Sequence, residues 1–367
     1  MSMHYHIMFD GRVIGKRMTG PARHLINLID GLNSIAPQNK YTVIINDKSA
    51  FNYFGDKVDV VWAKSRFLSP LGYLEIPRII SKLKPDIFHN PSFSPIMPRK
   101  NIPYIITIHD LIKITQESNF FKRLFYEMAV RHACRLSDRV LTVSEYSKEE
   151  IADILHVRRE HIDVIYNGIQ DKFFHPVDEN RLLEIKKKYN LPDKYVLYVG
   201  SHDVHKNLKG TIEAFMKAKV NMPLVLALTW DEISGYCTSS LKPDNVICIG
   251  PVPELDLPYV YKGSSLVIFM SFIEGFGLPV VEAFASGVPV VTSNVTSLPE
   301  ISRGCAIEVD PRDIPAISCA IRIILSDEIL RERNIKLGLE RAQDFTVKKM
   351  AERVLRVYDN ILGRRDV

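Results

Sequence analysis

The stretch Ser271-Phe272-Ile273-Glu274-Gly275-Phe276-Gly277-Leu278-Pro279-Val280-Val281-Glu282-Ala283 carries the densest chemical signal in the 367-residue sequence. Gly275 and Gly277 allow close backbone approach, and Pro279 suits the first turn of a helix, where its missing N–H costs nothing. A helix opening at that corner turns free amides and its positive dipole end toward an anion, so a phosphate or pyrophosphate is the natural guest. Glu282 falls about one turn into the helix, where its carboxylate can accept from vicinal hydroxyls, while Glu274 stays at the preceding strand end. Two acceptors beside an anion site imply a polyhydroxylated, phosphorylated ligand. The same residues fit equally well a plain helix start whose acidic side chains complement the dipole. Taken singly, Lys206 reads as a solvated loop lysine and His109 as a structural histidine at a strand end. No G-x-x-x-x-G-K-[ST] and no G-x-G-x-x-G after a strand occurs, which removes the P-loop and dehydrogenase readings.

Elements that must position these residues come in two series. Runs rich in Val, Ile and aromatics at Tyr5–Phe9, Tyr41–Asn46, Asp59–Ala63, Asp86–His89, Tyr104–Ile108, Arg139–Val143 and Asp163–Tyr166 read as strands. Helical periodicity covers Ala22–Leu32, Leu71–Leu83, Phe120–Leu136 and Lys148–Leu155, the last with N-cap chemistry from Ser144. A second series runs through Tyr195–Val199, Leu224–Leu228, Val246–Ile249, Leu266–Met270, Val288–Thr292 and Ala306–Val309, with a helix after each. Near-continuous apolar character predicts parallel strands covered on both faces. After the Asn167-Gly168 turn and Phe173-Phe174-His175-Pro176, a charged helix is expected from about Arg181 to Tyr189, and the boundary is placed there. The expected organisation is a domain over 1–175, a second over 176–345, and a helix within 346–367 packing back across the first. At this length two cores are the natural expectation.

The sequence resembles the retaining glycosyltransferases of family 4, whose E-x7-E signature is matched by Glu274 and Glu282. The likeness extends through Asp10-Gly11-Arg12, Thr19-Gly20, Thr107-Ile108-His109-Asp110, Ser144-Glu145-Tyr146-Ser147-Lys148, Tyr166-Asn167-Gly168, Tyr198-Val199-Gly200, Lys206-Asn207-Leu208, Gly287-Val288-Pro289-Val290-Val291-Thr292-Ser293 and Leu298-Pro299-Glu300. It implies the α/β GT-B fold, two Rossmann-like doubly wound parallel-sheet domains facing a cleft, the first binding acceptor and the second the donor. It also implies transfer of a hexose from a nucleotide diphosphate sugar, with retention and without a catalytic metal or other cofactor. The absence of a D-x-D element agrees. By the resemblance, Glu274 contacts the donor sugar, Glu282 the ribose and Lys206 the diphosphate. The backbone of Gly275, Phe276, Gly277 and Leu278 lines sugar and phosphate. Gly20, Gly200, Ser201 and Val252 complete the donor contacts, Val252 beside the base, and His109 joins Glu274 and Lys206 as a catalytic residue. GDP-mannose is the favoured donor, ahead of a UDP-sugar or dTDP-rhamnose. The sequence departs from the family at Ser201 and His205, where many members carry an arginine, and at Gly20-Pro21-Ala22-Arg23, which has one glycine fewer.

The +5 formal charge is concentrated: residues 1–176 hold 24 Lys+Arg against 18 Asp+Glu. Within them Phe120 to Arg139 interleaves Lys122, Arg123, Arg131, Arg135 and Arg139 with Phe120, Phe121, Leu124, Phe125 and Met128, a pattern suited to an anionic membrane surface or to an ordinary solvated helix face. The resemblance implies as partners a nucleotide sugar and a glycan or lipid-linked acceptor in surface polysaccharide or lipopolysaccharide assembly; on the membrane reading Phe120 to Arg139 adds an anionic bilayer, and no nucleic-acid motif occurs. Five widely spaced cysteines, Cys237 among them, suggest neither disulfides nor a zinc site, and no apolar run reaches the roughly 18 residues of a span, so a cytoplasmic enzyme, peripheral at the inner membrane face, is expected. The alternatives are a GT-B nucleotide-sugar epimerase and a non-catalytic nucleotide-sugar-binding protein.

Overall fold

The computed structural model describes residues 4–15, 18–54, 57–94, 96, 101–233 and 245–363. Cys237 lies outside them. The chain forms two units. The first holds the residues up to Gly168 together with those from Thr346 onward, and the second runs from Ile169 to Phe345.

In the first unit seven strands, β1 (His6–Asp10), β2 (Lys40–Ile45), β3 (Asp59–Trp62), β4 (Ile87–Asn90), β5 (Tyr104–Ile108), β6 (Arg139–Thr142) and β7 (Ile162–Val164), form one sheet in the order β3-β2-β1-β4-β5-β6-β7. Every pairing is parallel, with Met8 of β1 opposite Thr42 on one side and Phe88 on the other. The side-chain period of two divides the strands between two cores. Ile7, Phe9, Val43 and Ile45 enter one, and Met8, Ile44, Phe88 and Ile106 the other. The first core is covered by the helices Gly20–Ile35 and Val347–Leu362, which contribute Leu25, Leu28, Met350, Val354 and Tyr358. Thr19 and Thr346 cap those helices by accepting from Ala22 N and Lys349 N.

The second unit repeats the plan with β8 (Val196–Tyr198), β9 (Leu224–Leu226), β10 (Val246–Cys248), β11 (Leu266–Phe269), β12 (Val290–Ser293) and β13 (Ile307–Val309), parallel throughout in the order β10-β9-β8-β11-β12-β13. In each sheet the order reverses between two adjacent strands, β1 and β4 in the first, β8 and β11 in the second. The loops leaving the carboxyl ends of such a pair diverge and open a crevice, the usual place for a ligand in an open α/β sheet.

Two expectations need correction. The units divide between Gly168 and Ile169, earlier than the boundary after residue 175, because the Ile169 amide donates to Phe345 O at 2.8 Å and Phe173 packs its ring on Tyr261 at 5.9 Å, both within the second unit. The basic stretch also ends sooner than residue 139. Its helix is Phe120–Leu136, and Arg139, in β6, is held by Asp163 at 2.7 and 2.6 Å and by Glu160 O at 2.7 Å.

Candidate active site

Lys206 and Glu274 meet at the reversal of the second sheet. Lys206 ends the short helical turn Val204–Lys206 after β8, and Glu274 lies in the loop after β11. Lys206 Nζ donates to Glu274 Oε1 at 2.6 Å, with side-chain exposures of 19% and 9%. Nζ also stands 5.6 Å from the centroid of the Phe269 ring at the end of β11, an aromatic face that favours a cation. The pair is largely desolvated, with Lys206 keeping the larger share of exposure.

The loop bearing Glu274 is fixed from behind by the loop after β12. Thr296 Oγ1 accepts the Glu274 amide at 3.2 Å, and the buried Ser297 hydroxyl lies 3.0 Å from Glu274 O and 3.1 Å from Phe276 O. Gly277 then adopts φ +104°, and a Cβ there would stand 2.6 Å from Leu298 Cδ2. Only glycine combines that dihedral with that approach. The chain turns at Gly277 into the helix Leu278–Ala285, with Pro279 in its first turn, so the helix begins at the corner beside the Lys206–Glu274 pair.

Glu282 faces inward from that helix. It is 1% exposed, and Oε2 accepts the Tyr261 hydroxyl at 2.8 Å. Tyr261 comes from the helix Leu257–Lys262, and no spacing in the sequence announces it as a partner of Glu282. Two further assigned residues follow β8. Gly200 leaves room for the Tyr198 hydroxyl, which would stand 3.1 Å from a Cβ there, and Ser201 donates to Asp203 Oδ2 at 2.5 Å. Val252 lies in the loop that leads from β10 to the helix bearing Tyr261.

Gly20 and His109 belong to the first unit. Gly20 opens the helix Gly20–Ile35, and a Cβ there would meet nothing within 4 Å, so packing alone does not demand glycine at that place. His109 follows β5, and its Nε2 lies 2.8 Å from Pro91 O. A carbonyl only accepts, so the proton is on Nε2 and Nδ1 carries the lone pair. Burial lowers its pKa to about 4 despite that carbonyl. Its ring lies edge-on to His24 at 4.8 Å. Burial first, then the neighbouring His109, lowers His24 to about 3, while Asn167 Oδ1 sits 2.7 Å from its Nδ1. Both imidazoles are neutral near pH 7, which suits His109 to orienting a hydroxyl and not to donating a proton. Sequence spacing gave no sign of His24.

Two doubly wound parallel sheets, with a lysine, a glycine corner and two glutamates in the second, make up the GT-B fold. The chain belongs to the group 1 and family 4 glycosyltransferases: residues 182–341 match Glycosyl transferases group 1, and residues 18–173 match Glycosyltransferase Family 4. It is 30% identical over 286 residues to the O-antigen chain mannosyltransferase B of Escherichia coli, covering 75% of this chain and 74% of that protein. With the serotype-specific mannosyltransferase WbdA of Escherichia coli the identity is 26% over 274 residues, 68% of this chain and 34% of that longer protein. The fold is shared with the Anabaena protein HepE, solved in complex with UDP and glucose, at a TM-score of 0.76 and 16% identity, over 97% of this chain and 100% of that one.

Proposed function

We propose that this glycosyltransferase moves a hexose, mannose before others, from a nucleoside diphosphate sugar to a glycan or lipid-linked acceptor, with retention at the anomeric carbon, in surface polysaccharide or lipopolysaccharide assembly. The observation that carries it is the 2.6 Å contact of Lys206 with Glu274 beside the Gly277 corner, at the reversal of the second sheet. The family's mannosyltransferase relatives support mannose, and GDP-mannose is the donor to try first. UDP-sugars come next, since HepE was solved with UDP and glucose.

As the glycosidic bond breaks, negative charge grows on the diphosphate and the sugar becomes electron-poor. Lys206 and the start of the helix Leu278–Ala285 answer the first need, and such a contact is worth about 3 kcal/mol of barrier. Glu274 takes sugar hydroxyls when Lys206 turns to phosphate. Glu282 takes the ribose, its side chain steadied by Tyr261. The departing phosphate oxygen receives the proton of the acceptor hydroxyl, which attacks from the same face. The first unit carries the acceptor, with His109 Nδ1 accepting from a hydroxyl.

The test pairs donor and acceptor. Incubation with GDP-mannose and a lipid-linked glycan should extend the glycan with an α-linked hexose, and Lys206→Ala or Glu274→Ala should lower kcat/KM by roughly a hundredfold or more in protein that circular dichroism shows to be still folded at the assay temperature. Wild-type turnover in both variants overturns the assignment. A donor isomerised without acceptor supports the epimerase instead.

A peripheral membrane position at the inner face is part of the same proposal, supported by the helix Phe120–Leu136. Phe121 is 80% exposed, with Phe120, Leu124, Phe125 and Met128 also out in solvent beside the exposed Lys122, Arg123 and Arg135. Among the described residues no helix is long and apolar enough to cross a membrane. Flotation with anionic vesicles at low salt should carry the protein up, and Phe121→Ser with Phe125→Ser should leave it behind. Failure of the wild-type protein to float ends the membrane part of the proposal.

A further inference from the structure

We propose that Arg312 supplies a second cation to the donor's diphosphate, an inference that rests on the donor site described above. Charge supply raises the question. A nucleoside diphosphate sugar brings about two negative charges, yet Lys206 is already matched by Glu274 at 2.6 Å. The surroundings add no clear surplus of positive charge. Asp203, three residues before Lys206, holds a carboxyl below its usual range, through the Ser201 hydroxyl first and then through His205, His202 and Lys206.

Arg312 comes from the turn after β13, and β12 stands between β13 and β11 in the sheet. The turn nevertheless reaches back over the end of β12. Pro311 O accepts the buried Asn207 side-chain amide at 2.8 Å, which ties it to the residue next to Lys206. The Arg312 guanidinium carbon lies 5.4 Å from the centroid of the Phe272 ring, two residues before Glu274. The Phe272 amide in turn donates to His205 O at 2.8 Å, so the loops after β8, β11 and β13 form one joined group. The Arg312 side chain thus lies against the loop that carries Glu274, and the residue before it is tied to the loop that carries Lys206.

Its geometry suits an incoming anion. Asp310 stands 3.9 Å from Nη1, at the edge of ion-pair range, and its Oδ1 already accepts the Arg312 amide at 2.8 Å. The side chain is 70% exposed. A guanidinium held over an aromatic ring keeps its N–H edges turned outward, and those edges match two phosphate oxygens at once.

Nucleotide binding separates the possibilities, with UDP and GDP compared against UMP and GMP by calorimetry. Arg312→Ala should weaken whichever diphosphate the wild type binds by roughly tenfold and leave the matching monophosphate unchanged, with Arg312→Lys recovering part of the loss. The donor KM should rise in step, and the melting temperature should not move. Diphosphate affinity equal to wild type, or an equal loss of mono- and diphosphate, overturns the proposal. Lys206→Ala distinguishes the two levels. If it weakens diphosphate binding while Arg312→Ala is silent, the role of Arg312 alone is lost. If the wild type binds no nucleoside diphosphate, the donor-site reading falls and Arg312 with it.

Discussion

Glu282 shows how much a single hydroxyl can decide inside this site. Its carboxylate is buried within the second unit and accepts the Tyr261 O–H at 2.8 Å. Tyr261→Phe leaves the ring packing intact and strips that donor from a buried acceptor, which should destabilise the unit by about 1–3 kcal/mol. The expected readout is a lower urea midpoint for the second unit with a raised donor KM; an unchanged midpoint and KM would show that the bond carries neither stability nor geometry. Gly277 tests the corner from the backbone side. Gly277→Ala forces a side chain into φ +104° with its Cβ 2.6 Å from Leu298 Cδ2. We expect a loss on the order of 1–3 kcal/mol and weaker nucleoside diphosphate binding, read by thermal melting with and without nucleotide. Glu274, Gly277 and Glu282 could be singled out from sequence because glycine, proline and carboxylates leave a local signature. Tyr261, Ser297 and His24 could not, since each acts on a residue brought to it only by folding.

Elements were more legible than their partners. Strand positions followed the Val/Ile-rich runs to within a residue or two, because a strand covered on both faces must be apolar along its whole length. Hidden from the sequence was which loops would touch. The clamp of Thr296 and Ser297 on the loop after β11 depends on β12 lying beside β11, and the reach of Pro311 to Asn207 depends on a turn crossing a strand end. Arg139 shows the opposite error: counted by sequence with the basic face of a helix, it belongs to β6 and is occupied by Asp163 on β7. The closing helix makes an element-scale prediction. Val347–Leu362 crosses Gly20–Ile35 so closely at Gly31 that a Cβ there would stand 2.8 Å from Ala351 Cβ and from Val347 O. Backbone does not yield as a flexible side chain does. Gly31→Ala should therefore push the two helices apart and cost about 1–3 kcal/mol in the first unit, seen as an earlier melting step, with the second unit's transition unmoved.

Across the whole molecule, the histidines that desolvation holds below their ordinary value fall on one side of the division. His24, His89 and His109 all belong to the first unit, and burial is the leading cause that lowers each below the ordinary value of 6.5, to about 3 for His24 and about 4 for His109. His89 is held between the Tyr358 hydroxyl at 2.6 Å and Thr107 Oγ1 at 2.8 Å, so the closing helix and the strands β4 and β5 share one neutral imidazole. The sign follows from proton uptake. Below pH 6.5 the unfolded chain binds protons that the folded unit refuses, so stability present above 6.5 is lost as the pH falls toward 4, by about 1.4 kcal/mol per pH unit for each such histidine. Glu150 and Asp359, whose carboxyls burial raises, work in the opposite sense. In the second unit Asp203 and Asp256 lie below the usual carboxylate range, so the stability they add is lost only at more acid pH. The chain's two tryptophans allow the units to be followed separately, Trp62 being in the first and Trp230 in the second. Urea unfolding of Trp230→Phe should show the first unit's midpoint falling steeply between pH 7 and pH 5. The Trp62→Phe protein should show the second unit's midpoint nearly level over the same range. Equal pH dependence in both proteins would mean that the three histidines are not the groups that refuse the protons.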